Sequence, residues 1–421
     1  MFIVNPIAVI HKRTFIFLPS NYPSTTMYIL NIVIVIVVVA AFITINKDLR
    51  LLKQMQFHSA IEHSRFMRLM DIIISRFFEW KLWRKLLPVF ILIILSLTGG
   101  VYFYIRYALP QIPSVQNIAI DHNDTAFLNR GKYLVEHVTI CVDCHSPRDV
   151  TLFSMPIVQS QKGAGAPFLS QKLGYTFPGE SFTPNITSAN LGFWSDGELY
   201  RLLTTGIDKN GNTINHAMPF KNFAQADPAD IKAIISYIRT LKPITNKPAG
   251  TTRINFLHSL YNRTIPRQGT PVYLAKLKTA IDSGHYLVTI ASCNDCHTPK
   301  KWLEIDDNSR MLSGGIEFPL PTGGFVHSAN LTPDESGLEA WTEAAFINKF
   351  KSYRDSGAIY KTTPNALNTL MPWFAYRDMT DNDLHAIYAY LRSIKPIYNP
   401  VVKFTKQSLK TLKTRDAVND N

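Results

Sequence analysis

At about 150 residues per domain, a chain of 421 residues predicts roughly three structural units. Its 46% hydrophobic and 18% charged content exclude a disordered or low-complexity chain. The formal charge is +13, but residues 1–110 carry 12 Lys and Arg against 4 Asp and Glu, so +8 of it surrounds two apolar segments. Charge placed there reads as membrane topology, and no nucleic-acid partner is expected.

In chain order, an N-terminal tail (1–26) leads to the first apolar segment, Met27 to Ile45, which carries no charge. A second uncharged segment runs from Leu86 to Ile105. Each is long enough to cross a hydrocarbon core of about 30 Å as a helix, which predicts spans over 27–46 and 86–107. The loop between them, 47–85, holds nine basic and four acidic residues, whereas the preceding tail offers only Lys12 and Arg13. The positive-inside rule puts that loop in the cytoplasm and everything after Tyr107 on the exported side. Neither segment is followed by a small-residue cleavage site, so an uncleaved membrane anchor is expected. Met67 or Met70 opens a stretch with signal-anchor character of its own, so residues 1–66 are either native or an extension, and the anchor has one or two spans.

Beyond residue 124 the sequence repeats itself. RGKYLV at 130–135 returns as SGHYLV at 283–288, CVDCHSP at 141–147 as CNDCHTP at 293–299, and SYIRTLKPI at 236–244 as AYLRSIKPI at 389–397. The register is 153 at Gly131 and Gly284, 152 at Cys141 and Cys293, and 153 again at Tyr237 and Tyr390. Two domains are predicted, 124–245 and 273–397, joined by a linker at 246–272 and followed by a tail at 398–421. Asp227-Pro228 caps a helix whose Ile231, Ile234, Ile235 and Ile238 recur at helical spacing, and Thr380 starts its counterpart with Leu384, Ile387 and Leu391. Ser195 to Glu198 fits a capping box, with Thr342 at the matching place in the second copy. No alternating strand run stands out, so the expected fold is all-α. Gly131 with Tyr237 and Gly284 with Tyr390 mark where the first and last helix of each copy cross. Trp194 and Trp341 read as packing residues.

All four cysteines lie in two C-x-x-C-H motifs, Cys141, Cys144, His145 and Cys293, Cys296, His297. The spacing is that of covalent haem c attachment, with thiols one turn apart for the two vinyl groups and the histidine directed at the iron. A thioredoxin-like site needs a preceding strand that is missing here, and a zinc site shared by all the cysteines leaves both histidines unexplained. A disulfide framework likewise gives them no role. Met218 and Met371, each followed by proline and 153 residues apart, are the candidate distal ligands, with His216 and His137 as competitors in copy one. Arg148 and the pair Lys300–Lys301 are candidate partners for haem propionates, or a solvated face.

On the motifs GKYLV…CVDCHSP, NIT…GFWSDGELYRLLTTG and MPF in copy one, and GHYLVTIASCNDCHTPK, ANLTP and MPWFAYRDMTDNDLHAIYAYLRSIKP in copy two, the chain resembles membrane-anchored dihaem class I cytochromes c. It is similar to the cytochrome subunits of bacterial periplasmic dehydrogenases. The resemblance implies two tandem class I cytochrome c domains, two covalently bound haem c groups, His145 and His297 as proximal ligands, and Met218 and Met371 as distal ones. Two motifs rather than three, and a double span, make a dihaem electron carrier anchored in the bacterial inner membrane, with its haem domains facing the periplasm, the leading expectation. Its partners would be a dehydrogenase or quinol-linked donor and an oxidase or soluble cytochrome as acceptor. A haem subunit of a dehydrogenase complex and a peroxidase-like dihaem enzyme are the alternatives.

Overall fold

The computed structural model describes residues 80–406 except 112, 170–178, 246–252, 255, 266–268, 302–305, 356 and 358. The first apolar segment and most of the basic loop lie outside the described residues. The chain divides into two units, Met1–Tyr104 and Ile105–Asn421, and both copies of the repeat fall inside the second. Helix α1, Trp80–Phe103, runs on as a π turn over Tyr104–Ala108. Among the described residues, Leu86–Ala108 is the one stretch long and apolar enough to cross a membrane, and none of it is buried against protein.

Local chemistry sets the helices of the second unit. Helix α2, Thr125–Tyr133, starts where the Asp124 carboxylate accepts the amides of Ala126 (2.9 Å) and Phe127 (3.1 Å). Helix α3, Asp196–Thr205, opens on the Ser195–Glu198 capping box, and α4, Pro228–Arg239, has Asp227 at its cap and proline at the first position. Helix α5, Phe256–Thr264, occupies the linker. Copy two repeats the pattern with α6, Ala280–Ile290, capped by Thr279; α7, Glu343–Lys351, capped by Thr342; and α8, Asp381–Ser393, capped by Thr380.

The first and last helix of each copy touch backbone to backbone. A Cβ placed on Gly131 would sit 2.0 Å from the Ala233 carbonyl oxygen, and one on Gly284 1.9 Å from that of Ala386. Around these crossings Ile231, Ile234 and Ile235 of α4, and Leu384 and Leu391 of α8, are almost fully buried. Each contributes about 1.5–3 kcal/mol by leaving water. The slip of the repeat register from 153 to 152 has a structural cause. After α2 the chain makes a π turn over Leu134–Val138, whereas α6 continues uninterrupted. The wider turn absorbs the one extra residue of copy one and keeps Leu134, Val135 and Val138 in the core.

The all-α expectation needs a correction. Two three-stranded antiparallel sheets are present: β1 (Ala166–Leu169), β2 (Gly179–Thr183) and β3 (Arg253–Ile254) in one, β4 (Glu317–Pro319), β5 (Phe325–His327) and β6 (Phe404–Thr405) in the other. The strands are two to five residues long, too short for a period-2 pattern to emerge. The third strand of each sheet comes from residues placed in the linker or the tail on sequence grounds. The protein is therefore mainly helical, with a small sheet attached to each copy.

The copies also exchange tyrosines. Tyr133 of copy one donates to Asp383 of copy two (2.5 Å) and accepts the Thr380 amide (3.0 Å). Tyr286 of copy two donates to Asp230 of copy one (2.6 Å) and accepts the Asp227 amide (3.1 Å). These residues correspond pairwise at the repeat offset of 153. Asp230 also receives a two-pronged bond from Arg130 (2.9 and 2.7 Å). Burial, together with the adjacent carboxylate, pushes both phenols well above their ordinary range.

Candidate haem sites

Each C-x-x-C-H motif begins directly after a backbone reversal. Ile140 and Ser292, immediately before the first cysteine, hold left-handed conformations at φ 45° and 57°. For a β-branched residue such as Ile140 this costs on the order of 1–3 kcal/mol. The reversal ends the preceding helix and starts the short helices Cys141–Cys144 and Cys293–His297. All four thiols are free. Cys141 is buried, Cys144 and Cys293 are half-buried and Cys296 is exposed.

The two histidines are oriented alike. His145 Nδ1 lies 2.8 Å from the Pro184 carbonyl oxygen, and His297 Nδ1 lies 2.8 Å from that of Ala329. A carbonyl only accepts, so Nδ1 carries the hydrogen and Nε2 keeps its lone pair. Burial lowers both histidine pKa values and favours the neutral ring.

The accepting carbonyls are fixed by asparagines. Asn185 Oδ1 accepts from the amide and hydroxyl of Thr187 (2.8 and 2.7 Å), and its Nδ2 donates to the Ile244 carbonyl (2.8 Å). Asn330 does the same with Thr332 (2.9 and 2.8 Å) and the Ile397 carbonyl (2.8 Å). Both anchors lie just beyond the last helix of the respective copy. Gly165 and Gly314 close these loops at φ 80° and 71°, donating to the His145 and His297 carbonyls (2.8 and 2.7 Å). A Cβ on either would approach loop backbone to 2.6 or 2.3 Å, so glycine is required twice over. Sequence reasoning named neither asparagine as a site residue. The N-x-T triplets NIT and NLT were the available signal.

The two methionine loops are half-buried against the apolar core. In copy one, the Met218 amide donates to the Asn215 carbonyl (3.1 Å), and His216 Nδ1 pairs with Asn262 Oδ1 on α5 (2.9 Å). His216 also lies against the His258 and Tyr261 rings, with centroids at 5.2 and 5.6 Å. In copy two, the Met371 amide donates to Thr369 Oγ1 (3.0 Å), and the Met371 carbonyl accepts from Ser154 Oγ of copy one (2.6 Å). Pro219 and Pro372 then open the short helices Phe220–Phe223 and Trp373–Tyr376.

These short helices reach the opposite copy. Asn222 Nδ2 donates to Ser292 Oγ (3.0 Å) and Asp295 Oδ2 (3.2 Å), beside the second attachment motif. His137 Nδ1 donates to the Ala375 carbonyl (2.9 Å), which accounts for this competitor residue. Buried Tyr376 donates to the Ala291 carbonyl (3.0 Å), and burial pushes its phenol well above the ordinary range. The candidate propionate partners are engaged elsewhere. Arg148 pairs with Asp143, Lys300 with Asp306, and Lys301 with Asp307 (3.0 Å). Lys209 lies over the Trp194 ring at 5.4 Å, and the Trp341 carbonyl accepts from Tyr388 (2.8 Å).

Covalent haem attachment asks for two thiols one turn apart and a neutral imidazole with a fixed Nδ1 hydrogen. Both copies meet these requirements, so the donor set fits haem c. Among the described residues, no group of three or more His, Cys, Asp or Glu side chains is arranged to hold a separate metal ion.

No family model matches the chain. It is 28% identical over 297 residues to the cytochrome c subunit of a quinone alcohol dehydrogenase from Gluconacetobacter polyoxogenes, covering 65% of this chain and 57% of the relative. Identity is 31% over 286 residues to the cytochrome subunit of fructose dehydrogenase from Gluconobacter japonicus, covering 63% and 52%. A dihaem c-type cytochrome of Cereibacter sphaeroides is 24% identical over 270 residues, covering 61% and 82%. The chain thus spans a little over half the length of the two dehydrogenase subunits. The chain is thus similar to the cytochrome c subunits of bacterial dehydrogenases and to a dihaem c-type cytochrome.

Proposed function

We propose that this protein is a membrane-anchored electron-transfer cytochrome built of two tandem class I cytochrome c domains, with its haem domains in the periplasm and a dehydrogenase as electron donor. The supporting observation is the twofold occurrence of one arrangement. A left-handed turn presents the cysteine pair, an Asn-held carbonyl fixes the histidine tautomer, and a Met-Pro loop precedes a short helix. In this reading Cys141, Cys144, Cys293 and Cys296 would form the thioethers to haem c, and His145 with Met218 and His297 with Met371 would bind the irons. Bound haem would supply one-electron transfer.

The chain's own residues position and shield. Neutral histidines with fixed tautomers would bind the irons through Nε2, and the Met218 and Met371 thioethers would raise the potential and leave no position for substrate. The role is electron carriage without catalysis. The dehydrogenase relatives favour a haem subunit working with a catalytic partner over a free carrier, and the apolar helix Leu86–Ala108 supplies the anchor.

Haem content and reduced spectra of the detergent-extracted protein test this reading. Two low-spin haems per chain, indifferent to carbon monoxide when reduced, are expected. A haem that binds carbon monoxide in the unmodified protein overturns the closed-carrier reading.

A further inference from the structure

The loop that presents Met371 in copy two is built largely by copy one. After the first attachment motif, residues 151–154 lie along residues 360–371 of the second copy. The Thr362 amide donates to the Thr151 carbonyl (2.8 Å), and the Phe153 amide to that of Tyr360 (2.9 Å). The Phe153 ring stacks on Tyr360 with centroids 5.0 Å apart. Asn368 Nδ2 donates to the Leu152 carbonyl (3.3 Å), and Asn368 Oδ1 accepts the Ser154 amide (2.8 Å). The segment ends on Ser154 Oγ, 2.6 Å from the Met371 carbonyl oxygen.

Ser154 is 2% exposed and Asn368 fully buried. Ser154 and Met155 hold successive left-handed conformations at φ 57° and 43°. Two strained non-glycine residues in a row persist only where their surroundings over-determine them. Here the strain aims one hydroxyl at the backbone of a residue 217 positions away. In copy one no opposite-copy residue bonds Met218 among the described residues, and its loop rests on α5 instead.

We infer that Ser154 is a positioning residue for the second haem, holding the Met371 loop from the other copy so that the haem of copy one's domain and the distal ligand of copy two's form one unit. This rests on Met371 being the distal ligand proposed above. Ser154 acts through the Met371 carbonyl.

The test uses the full-length, haem-loaded protein in detergent. Met371→Ala is expected to make one reduced haem per chain bind carbon monoxide, which defines the signature of an open second haem. Ser154→Gly removes the hydroxyl at a left-handed position where glycine is at ease. Through the loss of one buried hydrogen bond it is expected to let a fraction of the molecules bind carbon monoxide with that same signature, where the unmodified protein binds none. Ser154→Thr, which keeps a hydroxyl, is expected to bind none. No binding by Ser154→Gly, or equal binding at both haems, overturns the positioning role while Met371→Ala still upholds the ligand. If Met371→Ala leaves the spectrum unchanged, the ligand reading falls and the inference with it.

Discussion

The two methionine loops carry the same Met-Pro element but are held by different parts of the chain. Copy one's loop rests on the linker helix that follows it, through His216 and Asn262, whereas copy two's rests on residues 151–154 of the opposite copy. A duplicated sequence has thus been completed in two ways. The difference teaches that the repeat encodes helices and the geometry of the C-x-x-C-H motifs, while the support of the Met-Pro loop is assigned by whatever chain lies next to it. Variants at equivalent positions separate these layers.

The largest effect is expected where the copies agree. Gly131→Ala and Gly284→Ala each force a Cβ to within 2.0 or 1.9 Å of a carbonyl oxygen, and helix backbone cannot yield as a flexible side chain would. Each substitution should cost more than about 4 kcal/mol and be read as a fall in melting temperature and in haem-loaded yield. Tolerance of alanine at either glycine would show that this crossing is looser than its twin.

The exchanged tyrosines should be unequal. Tyr286 and Asp230 are both buried, so Tyr286→Phe takes one of two donors from Asp230 Oδ2, which keeps Arg130, and strands the buried Asp227 amide, at about 2 kcal/mol. Tyr133 bonds Asp383 in a more open setting, and Tyr133→Phe should cost about 1 kcal/mol. Chemical denaturation of the two variants compares them directly. Equal costs would mean that burial of the Arg130–Asp230–Tyr286 cluster adds nothing to the clasp.

Asn262→Ala tests the copy-one support. It removes the acceptor of His216 at a cost of about 1 kcal/mol, and should let carbon monoxide bind at the first haem alone, where the unmodified protein binds none. A change at the second haem instead would reverse the assignment of supports.

What was legible in the sequence follows from range. Caps such as Asp227, Ser195, Thr342 and Thr380 act within three residues and stand where the pattern places them. The glycine crossings were legible because glycine and tyrosine recur at one offset. The π turn was visible only as a one-residue slip of that offset. The strands were not legible, since β3 and β6 pair with partners more than 70 residues away and have two residues each. Nor was Ser154, whose neighbours Asn368 and Met371 come together only when the copies pack. Arg148, Lys300 and Lys301 read as propionate partners or a solvated face, because no pattern in the sequence assigns them to Asp143, Asp306 and Asp307. The first apolar segment lies outside the described residues, so the sequence alone speaks for it.

The smallest predicted effect concerns the π turn itself, the feature that distinguishes the two first helices. Glu136 lies within that turn and bonds Lys162 of the following loop and Tyr237 of α4. Burial pushes its pKa up, but the lysine and tyrosine outweigh it and hold the carboxyl below the ordinary value of 4.5. With the folded value depressed, its contribution is complete above about pH 4.5 and is lost as pH falls through the lower folded value. Copy two has no acid in α6 beyond Asp282, so this titration belongs to copy one. Glu136→Gln should therefore melt below the unmodified protein at pH 7, by an amount that shrinks as the pH is taken below 4.5. Melting curves of both proteins across that range decide it. A gap that does not change with pH would mean that the π turn is held by the packing of Leu134, Val135 and Val138, with the carboxylate as bystander.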